Sequence, residues 1–242
     1  MRHRILILAA FLSLDLSTML AAAGGDLDLK ALLSPPQVEA WSSYKVSGKS
    51  MDRPKMFRLA VVGKEQFEGA PHIWLELTVA GQNGDSLTAM GLYPAGESLG
   101  LTAKKVVLKM GDSEAQEVPA GLVSLGTTLA TRFGLGIDLD ELVASIREGT
   151  RKGISSKEQA EESLALKGGI LSTRRMLVED AKGRQVSLWL SREAPLFSFV
   201  KAIHEARTLE LETWGASGAV SRIGKNYNSF DLKDILNRAL GK

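Results

Sequence analysis

The chain has 242 residues, of which 44% are hydrophobic and 24% are charged, and it contains no cysteine. Its 30 basic and 28 acidic residues give a formal net charge of +2, and such an evenly mixed balance argues against nucleic acid as a partner. A chain without cysteine cannot form disulfides and depends on its hydrophobic core, for which this length is sufficient.

The first 23 residues predict a secretory signal peptide. Two arginines precede an apolar run at residues 5–14, and small residues follow at 21–23, so cleavage is expected after Ala23. Asp15 interrupts the pattern and leaves an uncleaved anchor or a buried helix as alternatives. The run is shorter than the roughly 20 residues of a membrane span, and no cysteine follows the cut for lipid attachment. We therefore expect residues 24–242 to form one β-rich domain, periplasmic or secreted in a bacterium, with no further membrane span.

Alternation of apolar and polar side chains predicts strands in both halves of the chain. In one of them, Ile73, Leu75 and Leu77 alternate with Trp74 and Glu76. The short glycine-containing loop at 180–184 predicts a hairpin. The predicted strands are Val38–Gly48, Met56–Gly63, His72–Ala80, Ser86–Tyr93, Lys104–Met110, Leu171–Glu179, Gln185–Ser191, Leu196–Ile203 and Thr208–Trp214.

Helices are predicted between these strands and at the C-terminus. A helical insert is expected at about 124–169, because apolar residues repeat with helical spacing over 139–146. A second, more polar helix is expected to begin at Ser155 or Ser156 and to end at Gly168-Gly169. The same apolar spacing predicts a C-terminal helix at about 231–240.

The segment WSSYKVSGKS at 41–50 contains two sequences that look catalytic. Its Gly-Lys-Ser end resembles a phosphate-binding loop, but Ser43 stands where the first glycine belongs and Pro54 would break the helix that must follow. Ser42 and Lys45 have the spacing of serine acylases that use a lysine base. On a strand, however, an i, i+3 pair points to opposite faces. Neither motif predicts an enzyme.

The remaining candidates for chemistry are equally weak. His72 and His204 are isolated, so no metal ligands are predicted. The chain has no G-x-S-x-G motif, and Glu210 and Glu212 are typical of the solvated side of an antiparallel strand. We therefore predict no catalytic residue, no metal and no cofactor, and we expect a protein that is not an enzyme.

The tryptophans show a less ordinary pattern. Each one alternates with polar residues of its predicted strand and lies opposite the aliphatic side chains. Aromatic rings with a polar handle suit a surface that is partly apolar and partly wet. In the alternative interpretation, helices or edge side chains simply cover the rings. The predicted ligand-binding residues are Trp41, Trp74, Trp189 and Trp214.

Two stretches resemble known envelope proteins. Val38–Gly48 through Trp74-Leu-Glu76 looks like the opening strands of the LolA/LppX-like group of bacterial envelope proteins, and Ser187–Leu196 (SLWLSREAPL) looks like an element of exported bacterial proteins. The resemblance covers the architecture of most of the chain after residue 23. It implies an open half-barrel that closes around helices and encloses an apolar cavity for acyl chains, and it assigns a role to no individual residue.

These observations predict an α+β domain, mainly antiparallel β, in which a curved, half-barrel-like sheet packs against two or three helices. The expected function is non-catalytic binding of a lipid, a lipoprotein or another amphiphile in the cell envelope. The alternative is an envelope interaction or assembly factor that docks a protein partner through its sheet.

Overall fold

The computed structural model describes residues 37–49, 51–80, 86–95, 103–118, 155–179, 185–196, 198–224 and 226–229. Those residues form twelve strands in one sheet. The strands are β1 (Trp41–Gly48), β2 (Lys55–Phe67), β3 (Ala70–Ala80), β4 (Ser86–Pro94), β5 (Lys105–Met110), β6 (Gln116–Val118), β7 (Ser155–Leu166), β8 (Gly169–Glu179), β9 (Gln185–Leu190), β10 (Phe199–His204), β11 (Arg207–Gly215) and β12 (Asn228–Ser229).

Two meanders make up the sheet. Strands β1 to β6 pair antiparallel in chain order, and so do β7 to β11. The meanders join because β11 returns to pair with β1, from Trp41 opposite Gly215 to Gly48 opposite Arg207. The short β12 pairs in parallel with β6. The sheet is open, with β12 and β7 at its two ends.

The register gives the β2–β5 region two chemically different faces, because paired residues on neighbouring strands share a face. The aliphatic face includes the row Leu59, Leu77, Ala89 and Leu108. The mixed face includes two adjacent rows across the same strands. Those rows are Arg58, Thr78, Thr88, Lys109 and Ala60, Glu76, Met90, Val107.

A C-terminal strap, residues 216–224 and 226–229, follows β11 and returns across the mixed face. The Ala219 N–H donates to the Glu39 carbonyl (2.8 Å), and the Asn228 N–H donates to the Ala115 carbonyl (3.0 Å). Between these ends, Ile223 of the strap packs in a cluster with Trp74, Met90, Leu92 and Val107. The strap therefore connects the β1–β11 seam to the β6 edge of the sheet.

Nine strands were predicted close to their observed positions, namely β1 to β5 and β8 to β11. The predicted hairpin at 180–184 connects β8 to the antiparallel β9. The prediction missed the two shortest strands, β6 and β12, and it also missed β7. Alternation was informative wherever one face of a strand is buried and the other is not.

The predicted fold class was wrong in its helices: the described part of the chain contains no helix, and the sheet is not packed on helices there. Residues 155–166, expected as the second helix, are the edge strand β7. Half-buried Glu162, Leu164 and Leu166 alternate there with exposed side chains. Pairing with β8 overrides the helix propensity of the Glu, Ala and Leu residues in this segment. Of Gly168-Gly169, expected as a helix stop, Gly168 lies in the turn between the two strands, and Gly169 is the first residue of β8, with φ +145°.

Other predictions lie outside the described residues. These are the signal peptide with its cleavage after Ala23, the rest of the insert at 124–154 and the C-terminal helix at 231–240. Among the residues that are described, no helix is long and apolar enough to cross a membrane.

Candidate functional site

The structure distributes the four predicted tryptophans over three environments. Trp74 lies beneath the strap and is only 9% exposed, whereas Trp189 is 6% exposed in another hydrophobic cluster, which joins the β7–β11 half to Tyr44 of β1 and Phe57 of β2. Trp214 is half-buried at the border of that same cluster. Trp41 is half-buried on the mixed face next to β2. The structure therefore brings Trp189 and Trp214 into one cluster and keeps Trp41 and Trp74 apart from it.

Trp214 lies on the opposite face from the predicted one. Simple alternation places it with Glu210 and Glu212, but the β1–β11 register skips Glu212 at a bulge. Beyond the bulge, Trp214 pairs with Ser42 and shares a face with Leu211, the partner of Tyr44. The ring also lies against Gly168, where an added Cβ would come within 2.8 Å of the Trp214 ring. One extra residue in the strand reverses the face of every residue after it.

The indole N–H of Trp74 has a hydrogen-bond acceptor within the protein. Its Nε1 donates to Glu65 Oε2 (2.9 Å), and Lys105 Nζ donates to Glu65 Oε1 (3.1 Å). Burial opposes ionisation of Glu65, but the hydrogen bonds from Lys105 and Trp74 hold its pKa below the usual value. The hydrogen bond to Glu65 raises the pKa of Lys105. Trp74, Glu65 and Lys105 therefore form one hydrogen-bonded network within the protein.

Trp189 has two cations against its ring. Arg175 Cζ lies 5.0 Å and Lys201 Nζ 5.7 Å from the ring centroid, within the range of cation–π attraction. The indole N–H donates to the Glu162 carboxylate, and Lys201 Nζ donates to Glu210 Oε1 (2.8 Å). Two carboxylates therefore balance the two cations around this tryptophan.

Trp41 has a comparable partner in Arg58, whose Cζ lies 5.3 Å from the ring centroid. Gly215 allows the ring to lie where it does, because a Cβ there would come within 2.5 Å of Trp41 Nε1. Burial lowers the pKa of Arg58, the charge of Arg222 lowers it further, and Glu76 acts in the opposite direction.

Glu76 is a buried carboxylate that the sequence analysis did not single out. It is 0% exposed, and it accepts hydrogen bonds from Ser221 Oγ (2.7 Å) and from the Arg222 N–H (2.9 and 3.2 Å). These donors fasten the strap to the middle of the mixed face. The local alternation around Glu76 predicts only a solvated strand side, because its partners lie 145 and 146 residues away.

The residues tested for catalysis do not converge. Ser42 is buried on the face of Tyr44, whereas Lys45 lies on the other face of β1, as expected from the strand. His72 is buried with Nδ1 2.9 Å from the Ala70 carbonyl, and His204 is half-buried on β10. Within the described ranges, no three His, Asp or Glu side chains come close enough to hold a metal ion.

The aliphatic face offers a different type of surface. Its buried members, which include Val61, Ile73 and Val106, form a cluster with Leu196 from the β9–β10 connection. Met110, at one end of this face, is 38% exposed. Half-buried apolar side chains extend the cluster across β2 to β6, namely Leu59, Leu75, Val79, Leu87, Leu108 and Val118.

No protein-family model and no curated protein matches the sequence. Similar solved structures include a protein from Bacteroides fragilis assigned as exported and as having a YmcC-like fold (10% identity, TM-score 0.37, 76% of this chain and 99% of that one). Another, from Parabacteroides distasonis, is assigned as a lipoprotein (8% identity, TM-score 0.35, 75% of this chain and 97% of that one).

The Pseudomonas aeruginosa MucA/MucB complex contains a third similar chain (12% identity, TM-score 0.33). The alignment covers 88% of this chain but only 61% of that chain, less than two thirds of its length. Similarities at this level support no conclusion about function. The resemblance to LolA and LppX finds no named counterpart among these three and stays a prediction.

Proposed function

We propose that this protein is a non-catalytic, exported protein of the bacterial cell envelope that binds a lipid, a lipoprotein or another amphiphile on the aliphatic face of its sheet. The observation behind this proposal is the continuity of that face. Across β2, β3, β4 and β5, one row runs Leu59, Leu77, Ala89 and Leu108, and the next runs Val61, Leu75, Gly91 and Val106.

The chemistry of the face suits an acyl chain. The two rows contain only apolar residues and one glycine, Gly91. An apolar ligand would therefore meet no unpaired polar side chain along them. Each buried methylene contributes about 0.8 kcal/mol, so a contact along several strands would hold an acyl chain without directional bonds. The half-buried leucines and valines are the side chains that would contact it.

The four predicted tryptophans have a smaller role in this proposal than the sequence predicted. Trp74 and Trp189 are almost fully buried and their indole N–H groups are already bonded, so they would support a binding surface rather than contact the ligand. Trp41 and Trp214 are half-buried. Direct contact of any tryptophan with a ligand stays a prediction.

The test is native mass spectrometry of the protein purified from its own envelope, followed by organic extraction and lipid analysis. We expect a co-purifying amphiphile that is lost in a Leu75→Asn, Leu108→Asn double variant. Val220→Asn is the matched control, because Val220 is apolar, 75% exposed and on the strap. Near-ultraviolet circular dichroism verifies that each variant is folded. A ligand-free protein that also leaves a fluorescent fatty acid unbound would contradict the proposal.

A second candidate function is docking of a protein partner at the sheet edge. Within the described part of the chain, β7 ends the sheet and pairs along its length only with β8, and an unpaired edge can accept a strand from a partner. A photo-crosslinker at exposed Ser163 on β7, compared with one at Leu108, distinguishes the two functions. Protein adducts confined to Ser163 favour docking, and lipid adducts confined to Leu108 favour the carrier.

A further inference from the structure

Positive charge is concentrated where two neighbouring strand connections meet at one end of the sheet. These are the connection between β1 and β2 and the two-residue turn between β10 and β11. The Lys49 N–H donates to the Ala206 carbonyl (3.3 Å), and β1 ends with Gly48 opposite Arg207. A Cβ on Gly48 would come within 3.0 Å of Arg207 Cγ. The Arg207 side chain therefore lies directly against the start of the β1–β2 connection.

The two connections and the strand residues that end them carry more cations than acids. The acids are Asp52 and Glu205, and the cations, together called the basic end, are Lys49, Arg53, Lys55 and Arg207. Lys49, Arg53 and Arg207 make no ion pair with any residue that the structure describes. Glu210, the next acid along β11, already accepts a hydrogen bond from Lys201 (2.8 Å). The surplus of two positive charges is as large as the formal net charge of the whole chain, +2.

Neighbouring segments do not cancel this surplus. The connections at 81–85 and 180–184, which belong to the same end of the sheet, together contain two acidic and two basic residues. The next described acids at this end, Glu179 on β8 and Asp112 and Glu114 after β5, lie at least two strands away from the two connections. Strands lie about 4.8 Å apart, so this separation is about 10 Å, over which salt largely screens exposed charges.

The backbone of the β1–β2 connection does not form the phosphate cradle that its Gly-Lys-Ser sequence resembles. A phosphate-binding loop leaves several N–H groups free to surround one anion. Here the Lys49 N–H donates to Ala206, and the Met51 N–H donates to the Gly48 carbonyl (3.0 Å). An anion at this end would therefore meet the exposed side chains of Lys49 and Arg53 rather than those two amides.

The basic end also adjoins the aliphatic face. Lys55 begins β2, and Phe57, two residues further along, begins the row Phe57, Val79, Leu87 and Met110. This is the row of the aliphatic face nearest to the basic end. Phe57 is half-buried, and Met110 is 38% exposed. Cations beside accessible apolar side chains suit a lipid surface, where anionic head groups lie above hydrocarbon.

The geometry points to the basic end as a surface that docks on an anionic lipid membrane. Its partner is an array of head groups rather than one bound anion, because the cations lie on separate exposed side chains without a backbone cradle. Docking would bring the adjoining row of the aliphatic face to the bilayer, where an amphiphile could be exchanged. That consequence depends on the proposed function, whereas docking itself does not.

Flotation with lipid vesicles tests the docking surface. We expect binding to phosphatidylglycerol vesicles but not to phosphatidylcholine vesicles, and we expect it to weaken as the salt concentration rises. A Lys49→Gln, Arg53→Gln double variant should bind about 10- to 100-fold more weakly, since it removes two cations from the surface. Lys104→Gln, Lys167→Gln is the matched control, because it removes the same charge from exposed lysines at the opposite end of the sheet.

The proposal is overturned if the parent binds neither type of vesicle or both equally, or if the control variant loses as much binding as Lys49→Gln, Arg53→Gln. Displacement by inorganic phosphate at constant ionic strength would also overturn it, because it would reveal a site for a single anion. Arg207→Gln is the second variant should the first not fold. The Leu75→Asn, Leu108→Asn variant separates this result from the proposed function: it should still bind the vesicles, and lost binding would assign the membrane contact to the aliphatic face instead.

Discussion

Each half of the sheet stacks an arginine on a tryptophan, and the two stacks have different surroundings. Arg58 lies 5.3 Å from the Trp41 centroid, and Arg175 lies 5.0 Å from the Trp189 centroid. Around Trp189, Lys201 is a second cation, and Glu162 and Glu210 supply two negative charges. Around Trp41, the charged groups that act on Arg58 are Arg222 and Glu76, and the Glu76 carboxylate already accepts a hydrogen bond from the Arg222 N–H.

The comparison shows that the stack by itself is a way to hold an arginine in place. The charged groups around the two stacks differ. At Trp189 the charges balance and the ring is buried, which is typical of a stabilising cluster. Trp41 is only half-buried, and Arg58 beside it has one cation, Arg222, and one acid, Glu76, among its charged neighbours. The strap creates this difference, since it supplies Arg222 and occupies Glu76.

The largest expected effect comes from breaking the balanced stack. Trp189→Ala should lower the free energy of unfolding by about 3–5 kcal/mol, because it empties a buried site and leaves Glu162 without its indole donor. Trp41→Ala should cost less, because Trp41 is only half-buried. Urea unfolding of both variants measures the difference. Equal losses would show that the two stacks are not energetically distinct.

Removing the attachment of the strap should have the next largest effect. Glu76→Ala leaves the Ser221 hydroxyl and the Arg222 N–H without their acceptor and should cost about 2–3 kcal/mol. Hydrogen exchange should show lost protection at the Arg222 and Ile223 amides. Glu114→Ala is the control, because Glu114 is exposed and its partner in the described part of the chain is the Asn228 side chain. Unchanged protection at Arg222 would contradict the idea that Glu76 holds the strap.

A smaller change should displace Trp41 from its position. Gly215→Ala places a Cβ within 2.5 Å of Trp41 Nε1, and overpacking of this type costs about 1–3 kcal/mol. Gly63→Ala is the matched control, because the nearest atom to its Cβ, on Trp74, would be 3.8 Å away. Thermal unfolding together with tryptophan fluorescence measures both variants. If Gly215→Ala destabilises the protein no more than Gly63→Ala does, the Trp41 ring does not lie as close to Gly215 as the structure places it.

The smallest expected effect concerns the hydrogen-bonded network of Trp74, Glu65 and Lys105. Because the pKa of Glu65 is lowered on folding, its ionised form stabilises the protein above the ordinary value of 4.5. That contribution is lost as the pH falls through the lower folded-state pKa. Since Glu65 is partly exposed, the contribution should be below about 1 kcal/mol. Urea midpoints measured from pH 7 to pH 3 should fall less in Glu65→Gln than in the parent, and identical profiles would contradict this.

Much of the strand content was predictable because it depends on local alternation. Strands such as β3 have apolar side chains at every second position, which is the periodicity that one buried face requires. β7 was not predictable in this way, because its composition favours a helix and only pairing with β8 makes it extended. The face of Trp214 depends on one bulge residue, Glu212, which no local pattern marks.

The candidate site was predictable only in part for the same reason. The sequence alone indicated that tryptophans and polar residues share strand faces, and this holds for Trp41 with Lys45 and for Trp74 with Glu76. It gave no indication that Ser221 and Arg222 donate hydrogen bonds to Glu76, because these residues are far apart in the chain.

By itself, the sequence determined the composition of each strand and which side chains alternate, since both follow from the extended backbone of a few neighbouring residues. The tertiary structure alone decided which faces were joined and covered. The β1–β11 pairing, the bulge at Glu212 and the path of the strap each depend on contacts between distant residues. Those contacts decide which charged and polar side chains meet, since Lys201 and Glu210 lie on different strands and Glu76 receives its donors from the strap.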